Sequence, residues 1–164
     1  MTAPSIVLVR PPIVSTERSI NNEATPCIAF AYLTSYLQTY GYAVTWVDAI
    51  AEGLGEVWPL RQYPGYQCQG ITLQETVERI PADTQIIGFA AMFSGEWPVL
   101  RDLIAMTRER FPKALLVAGG EHITALTEYS MNDCPQLDIC VRGEGEESFR
   151  AVIEAYLAQR PWEE

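Results

Sequence analysis

Thr84-Gln85-Ile86-Ile87-Gly88-Phe89-Ala90-Ala91-Met92 is the stretch on which the fold turns. From Ile86 onward it is apolar at every position instead of alternating. A strand of that kind is buried on both faces, as in the centre of a parallel sheet. Parallel neighbours need crossover connections, so helical segments are expected on either side of it.

They are present in both directions. Upstream, Ser5-Ile6-Val7-Leu8-Val9-Arg10 is a β-branched run stopped by Pro11-Pro12. A polar stretch, Ser15 to Glu23, follows. Thr25-Pro26 then supplies an N-cap and a first-turn proline. Ala29, Leu33, Tyr36, Leu37 and Tyr40 recur at helical spacing up to Gly41, and Tyr42 to Asp48 reads as a strand. Ala49 to Gly70 has no clean period, carries several Gly and Pro, and reads as a long loop packed down by Trp58, Tyr63 and Tyr66. Thr72-Leu73-Gln74-Glu75 is a capping box that opens a short helix to about Arg79.

Downstream, Ser94 is placed to cap a helix whose buried stripe is Val99, Leu100, Leu103, Ile104 and Phe111. Lys113 to Ala118 forms a fourth strand, Thr127 to Asn132 a short helix, and Leu137 to Val141 a fifth strand. A last helix shows Phe149, Val152, Ile153, Tyr156 and Leu157 at helical spacing before Pro161. Five strands alternating with five helices predict an α/β, flavodoxin-like (Rossmann-type) five-stranded parallel sheet. The expected order is 2-1-3-4-5, with helices on both faces. Residues 1–160 form the domain, and 161–164 a tail.

Composition agrees with one globular unit: 164 residues, 48% hydrophobic and 20% charged. The net charge of −10 disfavours nucleic acid and anionic membrane surfaces as partners. No apolar run approaches the ~20 residues of a membrane span, and no signal peptide is visible, so a cytoplasmic location is expected. Cys27, Cys68, Cys134 and Cys140 lack metal-ligand spacing and read as small buried hydrophobes.

Ligands on such sheets sit beyond the strand C-termini, so chemistry is sought there. The first strand ends in Arg10-Pro11-Pro12, with neither GxGxxG nor GxxxxGK[ST]. A phospho-acceptor receiver needs acids after the first strand, and a flavodoxin needs a Ser/Thr-rich loop there; both are excluded. Met92-Phe93-Ser94-Gly95 follow the third strand, Gly119-Gly120-Glu121-His122-Ile123-Thr124 the fourth, and Gly143-Glu144-Gly145-Glu146-Glu147 the fifth. Paired glycines let a bulky ligand approach the backbone, although plain turn chemistry uses them equally. His122, the sole histidine, has no nucleophile or metal companion in the sequence and suits a backbone or rim hydrogen bond better than catalysis. Glu144, Glu146 and Glu147 suit a helix start, with Glu144 within reach of a ligand hydroxyl. No GxSxG or Cys–His signature supports an independent hydrolase.

Taken in order, these elements resemble the N-terminal cobalamin-binding domain of cobalamin-dependent radical SAM enzymes. The most specific match is Val117-Ala118-Gly119-Gly120-Glu121-His122-Ile123-Thr124-Ala125, followed by Val141-Arg142-Gly143-Glu144-Gly145-Glu146. Pro11-Pro12, Tyr40-Gly41-Tyr42-Ala43-Val44 and Ile86-Ile87-Gly88-Phe89 match as well, and the likeness covers about residues 5–158. The resemblance implies a cobalamin site made of Arg10, Pro11, Pro12, Thr25, Met92, Phe93, Ser94, Gly119, Gly120, Glu121, His122, Thr124, Gly143, Glu144 and Gly145. Gly119 and Gly120 would make room for the nucleotide tail, and the Arg10–Thr25 loop would lie under the corrin. The DxHxxG of the mutase and methyltransferase type is absent, so the resemblance implies base-off cobalamin without a histidine ligand.

The chain also lacks CxxxCxxC. The iron–sulfur cluster and S-adenosylmethionine would therefore belong to a missing C-terminal catalytic domain of the same polypeptide, toward which 161–164 would lead. The chain is not expected to be catalytic alone. The alternative reading is a cofactor-free Rossmann-like interaction or substrate-recognition domain of the same enzyme class.

Overall fold

The computed structural model describes residues 3–19 and 25–160. In chain order the elements are β1 (Ile6–Arg10), β2 (Ile13–Thr16), α1 (Ile28–Thr39), β3 (Val44–Asp48), α2 (Ala49–Glu52), β4 (Val57–Pro59) and β5 (Tyr66–Gln69). Then come α3 (Leu73–Arg79), β6 (Ile86–Ala90), a 3-10 turn (Ser94–Glu96), α4 (Trp97–Arg110), β7 (Leu115–Gly119), α5 (Glu121–Ala125), α6 (Thr127–Asp133), β8 (Ile139–Val141) and α7 (Gly145–Leu157).

β3-β1-β6-β7-β8 form the expected parallel sheet, its order matching 2-1-3-4-5 among the five expected strands. Leu8 stands beside Gly88, and Gly88 beside Val117; Ala90 stands beside Gly119, and Gly119 beside Val141. Because side chains alternate along a strand, this register sorts the sheet into two faces. Val7, Val9, Ile87, Phe89, Leu116 and Ala118 pack against Trp97, Leu100, Leu103 and Ile104 of α4, joined by Val77 of α3. Ile6, Leu8, Ile86, Leu115, Val117 and Val141 pack instead against Phe30 and Leu37 of α1 and Phe149 and Ile153 of α7.

Local signals explain several ends. Thr72 accepts the Glu75 N–H while a Glu75 carboxylate oxygen accepts the Thr72 N–H, which completes the capping box of α3. Gly41 follows α1 at φ +82°, a conformation that favours glycine.

Several expectations need correction. The long loop is not structureless: its β4 and β5, with β2, form a second, antiparallel sheet in the order β2-β5-β4. Each of these strands turns essentially one apolar side chain inward: Val14, Trp58 and Cys68 meet Leu60 and Val99. One inward residue per strand is too short a pattern to stand out from a loop. Trp58 is held by donating to the Gly70 carbonyl at 3.0 Å, whereas Tyr63 and Tyr66 are exposed.

Thr25 does not cap α1. Cys27 is the N-cap residue and makes no side-chain cap bond. The inward stripe of α1 is Phe30, Leu33 and Leu37, while Ala29 and Tyr40 face solvent. Nor does Ser94 cap α4, because the 3-10 turn intervenes. Finally, α5 begins at Glu121, inside the turn expected after the fourth strand. Tail 161–164 and its Pro161 lie outside the described residues, as do positions 20–24 of the expected corrin-side loop.

Candidate functional site

Along the α1/α7 face the sheet loses bulk toward its C-terminal end. Ile86 and Leu115 fill the lower part; Gly88, Ala90 and Gly119 stand above them. A Cβ on Gly88 would come within 2.8 Å of a Leu8 methyl and 3.3 Å of the Phe149 ring, so large neighbours already lean over that position. Above them the helices do not close on the sheet. The result is a cavity of about 520 Å³ between the strand ends and the N-terminal turns of α1 and α7. Leu8, Phe30, Leu33, Val117, Val141 and Phe149 give it apolar walls, and it opens beyond the strand C-termini, where ligands on such sheets are expected.

Ten of the residues expected at the site line this cavity: Arg10, Pro11, Thr25, Met92, Phe93, Gly119, Gly120, Gly143, Glu144 and Gly145. Five do not. Pro12 is buried beside it. Thr124 uses its hydroxyl to accept the Gly143 N–H at 2.9 Å, which ties α5 to the loop after β8. Glu121 is exposed at the start of α5.

Ser94 and His122 are occupied with each other, at 2.9 Å between Oγ and Nδ1. His122 is only 3% exposed and stacks on Trp97 with 4.6 Å between ring centroids. It belongs to the α4 side of the sheet, and burial pushes its pKa down. Sequence reasoning missed the α1 residues Tyr32 and Leu33 and the α7 residue Phe149, which reach the cavity only once the helices are docked.

The two glycines after β7 do different things. Gly120 has φ +122°, and a Cβ there would lie 2.5 Å from the Ala91 carbonyl oxygen. Its glycine is needed for the chain to pass close to the neighbouring strand end. A Cβ on Gly119 would meet only Val141, at ordinary contact distances of 3.6 and 3.7 Å. Of these two, then, it is Gly119 whose missing side chain leaves space on the cavity side without being demanded by the backbone.

Two charged groups lie within the walls. Arg10 donates to the Thr25 carbonyl at 2.6 Å and pairs with Asp48 at 3.4 Å, joining the ends of β1 and β3 to the approach to α1. The other Asp48 oxygen caps α2 by accepting the Ile50 and Ala51 N–H groups. Glu96 also faces the cavity. Burial pushes its pKa up to about 7, against the opposing pull of the Val14 N–H and the Arg10 charge. Around the mouth Ile28, Tyr32, Met92 and Phe93 are exposed apolar groups, beside the acids Glu144 and Glu146.

The cysteines offer no reactive thiolate: burial pushes Cys68 up to about 12 and Cys140 up to about 11. Among the described residues, no cluster of three or more His, Cys, Asp or Glu side chains could hold a metal ion. No helix among them is long and apolar enough to cross a membrane.

Comparison with known proteins converges on this architecture. The family model described as B12 binding domain matches residues 22–153. The chain is 27% identical over 156 residues to the uncharacterized methyltransferase PH0819 of Pyrococcus horikoshii, covering 94% of this chain and 30% of that protein. Over 56 residues, 34% of this chain and 8% of the other, it is 34% identical to the cobalamin-dependent radical SAM methyltransferase TokK of Streptomyces tokunonensis. Among solved structures, the cobalamin-dependent S-adenosylmethionine radical enzyme OxsB, with aqua-cobalamin and S-adenosylmethionine bound, shares the fold. That likeness has a TM-score of 0.68 at 18% identity and covers 97% of this chain and 19% of OxsB. The chain thus spans less than a third of the length of each of these three relatives.

Proposed function

The chain belongs to the B12-binding domain family, and on that premise we propose that it is the cobalamin-binding module of a radical SAM enzyme. It would hold the cofactor base-off, with no histidine of its own on the cobalt. One observation carries the reading: the α1/α7 face of the sheet opens into a cavity at its C-terminal end, where Ala90 and Gly119 stand in place of bulky side chains.

The residues present fit such a group. A cavity of about 520 Å³ suits the nucleotide tail of a base-off cobalamin, with the larger corrin outside the mouth. Leu8, Val117, Val141 and Phe149 would flank the flat base. Gly119 would let it lie against the backbone, and Arg10 and Glu96 would meet polar atoms of the tail. The exposed apolar groups Ile28, Tyr32, Met92 and Phe93 would support the corrin edge. Glu144 and the Gly143–Gly145 backbone would border the tail. The only histidine, His122, is turned into the α4 side of the sheet, which favours a cobalt without imidazole from this chain.

Cobalamin, when bound, would supply the methyl-transfer or rearrangement chemistry, while this chain supplies orientation and exclusion of water. The cluster and S-adenosylmethionine would sit in a catalytic domain of the same polypeptide, docked over the apolar, acid-flanked mouth. A cytoplasmic setting accords with four free cysteines, Cys68 and Cys134 buried and Cys27 and Cys140 half-buried.

Hydroxocobalamin added to the folded chain, followed by gel filtration and a visible spectrum, tests the reading. A corrin spectrum co-eluting with the protein is expected; colourless folded protein would overturn it. The exposed mouth also favours a second reading, a cofactor-free interaction domain of the same enzyme class. Capture of the catalytic domain regardless of cobalamin would favour that one.

A further inference from the structure

The loop after β6 carries Met92 and Phe93, 46% and 65% exposed, at the lip of the cavity. Large apolar groups left in water need something to hold them in one place. The backbone ties the near end of this lip: Ala91 N–H donates to the Gly119 carbonyl at 2.8 Å, and Ala91 carbonyl accepts from His122 N–H at 3.1 Å. A side chain ties the far end, where Ser94 Oγ meets His122 Nδ1 at 2.9 Å.

The protons in this chain of contacts can be placed. Ser130 donates its hydroxyl proton to the Leu126 carbonyl at 2.8 Å. Its oxygen can therefore only accept from His122 Nε2, at 3.2 Å. The ring then carries its proton on Nε2, and Nδ1 is free to accept from the Ser94 hydroxyl. The imidazole is fixed in turn by Trp97, whose indole N–H donates to Asp133 at 2.9 Å; Asp133 also accepts from Arg101 at 3.1 Å.

We infer that His122 is a positioning residue: as the neutral Nε2–H tautomer it anchors Ser94 to Ser130 of α6 and thereby holds the Met92–Phe93 lip in place for the cofactor. The histidine touches no ligand and acts only through the lip. The cofactor part of this inference rests on the cobalamin reading above; the tie itself does not.

The test uses the folded chain with and without hydroxocobalamin. Without it, ring-nitrogen NMR shifts should show a protonated Nε2 and a bare Nδ1. Hydrogen exchange across Phe93–Trp97 should quicken severalfold in Ser94→Ala, while exchange in the central strands β1 and β6 stays at the wild-type rate. With hydroxocobalamin, Ser94→Ala and His122→Phe should bind about fivefold to tenfold more weakly, the size of one net hydrogen bond. His122→Gln, which keeps one acceptor and one donor, should recover most of that loss.

A protonated Nδ1, or unchanged lip exchange in Ser94→Ala, overturns the inference whatever the protein binds. Faster lip exchange with wild-type affinity overturns the link between lip and cofactor. A wild-type chain that takes up no hydroxocobalamin, with the tie seen as expected, overturns the cofactor reading instead.

Discussion

The two faces of the central sheet are made from the same five strands and differ in one respect. On the α3/α4 side Val7, Val9, Ile87, Phe89, Leu116 and Ala118 meet helix side chains over the whole length of the strands. On the α1/α7 side packing is complete only in the lower half, and the upper half holds Gly88, Ala90 and Gly119 beneath a cavity. One face is filled and the other opens into a cavity. Interiors pack near crystal density, so a hollow of this size is costly unless something fills it.

That contrast can be broken from either side. The largest effect is expected on the full face. Leu103→Ala, at a fully buried position, should cost about 3 kcal/mol in chemical denaturation. On the hollow face the same kind of volume change should run the other way. Gly119→Phe adds a side chain where a Cβ meets only ordinary contacts, so the thermal midpoint should hold while hydroxocobalamin binding falls by about 100-fold or more, roughly 2.7 kcal/mol. Gly120→Phe does not test the cavity cleanly. Its positive φ and the Ala91 carbonyl 2.5 Å away make it a folding variant first.

Smaller effects sharpen the picture. Thr72→Ala removes the capping box of α3 on the full face and should cost about 1 kcal/mol with cobalamin affinity unchanged. Glu96 in the cavity wall should leave a signature in pH. Its folded pKa is raised to about 7. Across the window from the ordinary glutamate range to about 7, the native state therefore keeps a proton that the unfolded chain has released, and stability from this group falls as pH rises. Glu96→Gln should flatten that part of the stability profile, measured by thermal melts from pH 5 to about pH 8.

Much of this was legible before folding. The uniform apolar run from Ile86 to Met92 identified a central parallel strand, the intervening helical periods identified the crossovers, and the default order for five such units is the one found. The glycines at Gly119, Gly120 and Gly143 marked the strand ends that border the cavity. The alternation Gly88-x-Ala90, opposite Val117-x-Gly119, is the sequence trace of the hollow; it becomes meaningful only when the register brings Ala90 beside Gly119. The second sheet left no such trace, because Val14, Trp58 and Cys68 each commit one residue to a shared small core. The histidine in the glycine turn marked the site but not its side. That was decided by the backbone turning at Gly120, which sends the imidazole toward Trp97 and away from the cavity.

The sequence by itself determined the class of fold, the succession of strands and helices and the absence of any second histidine, since these follow from local periodicity and composition. Only the tertiary structure decided which face is hollow, that Tyr32, Leu33 and Phe149 complete its walls, and that Ser94 and His122 bind each other. Those outcomes depend on contacts between residues tens of positions apart, and no local preference encodes the register or docking angle that brings them within reach.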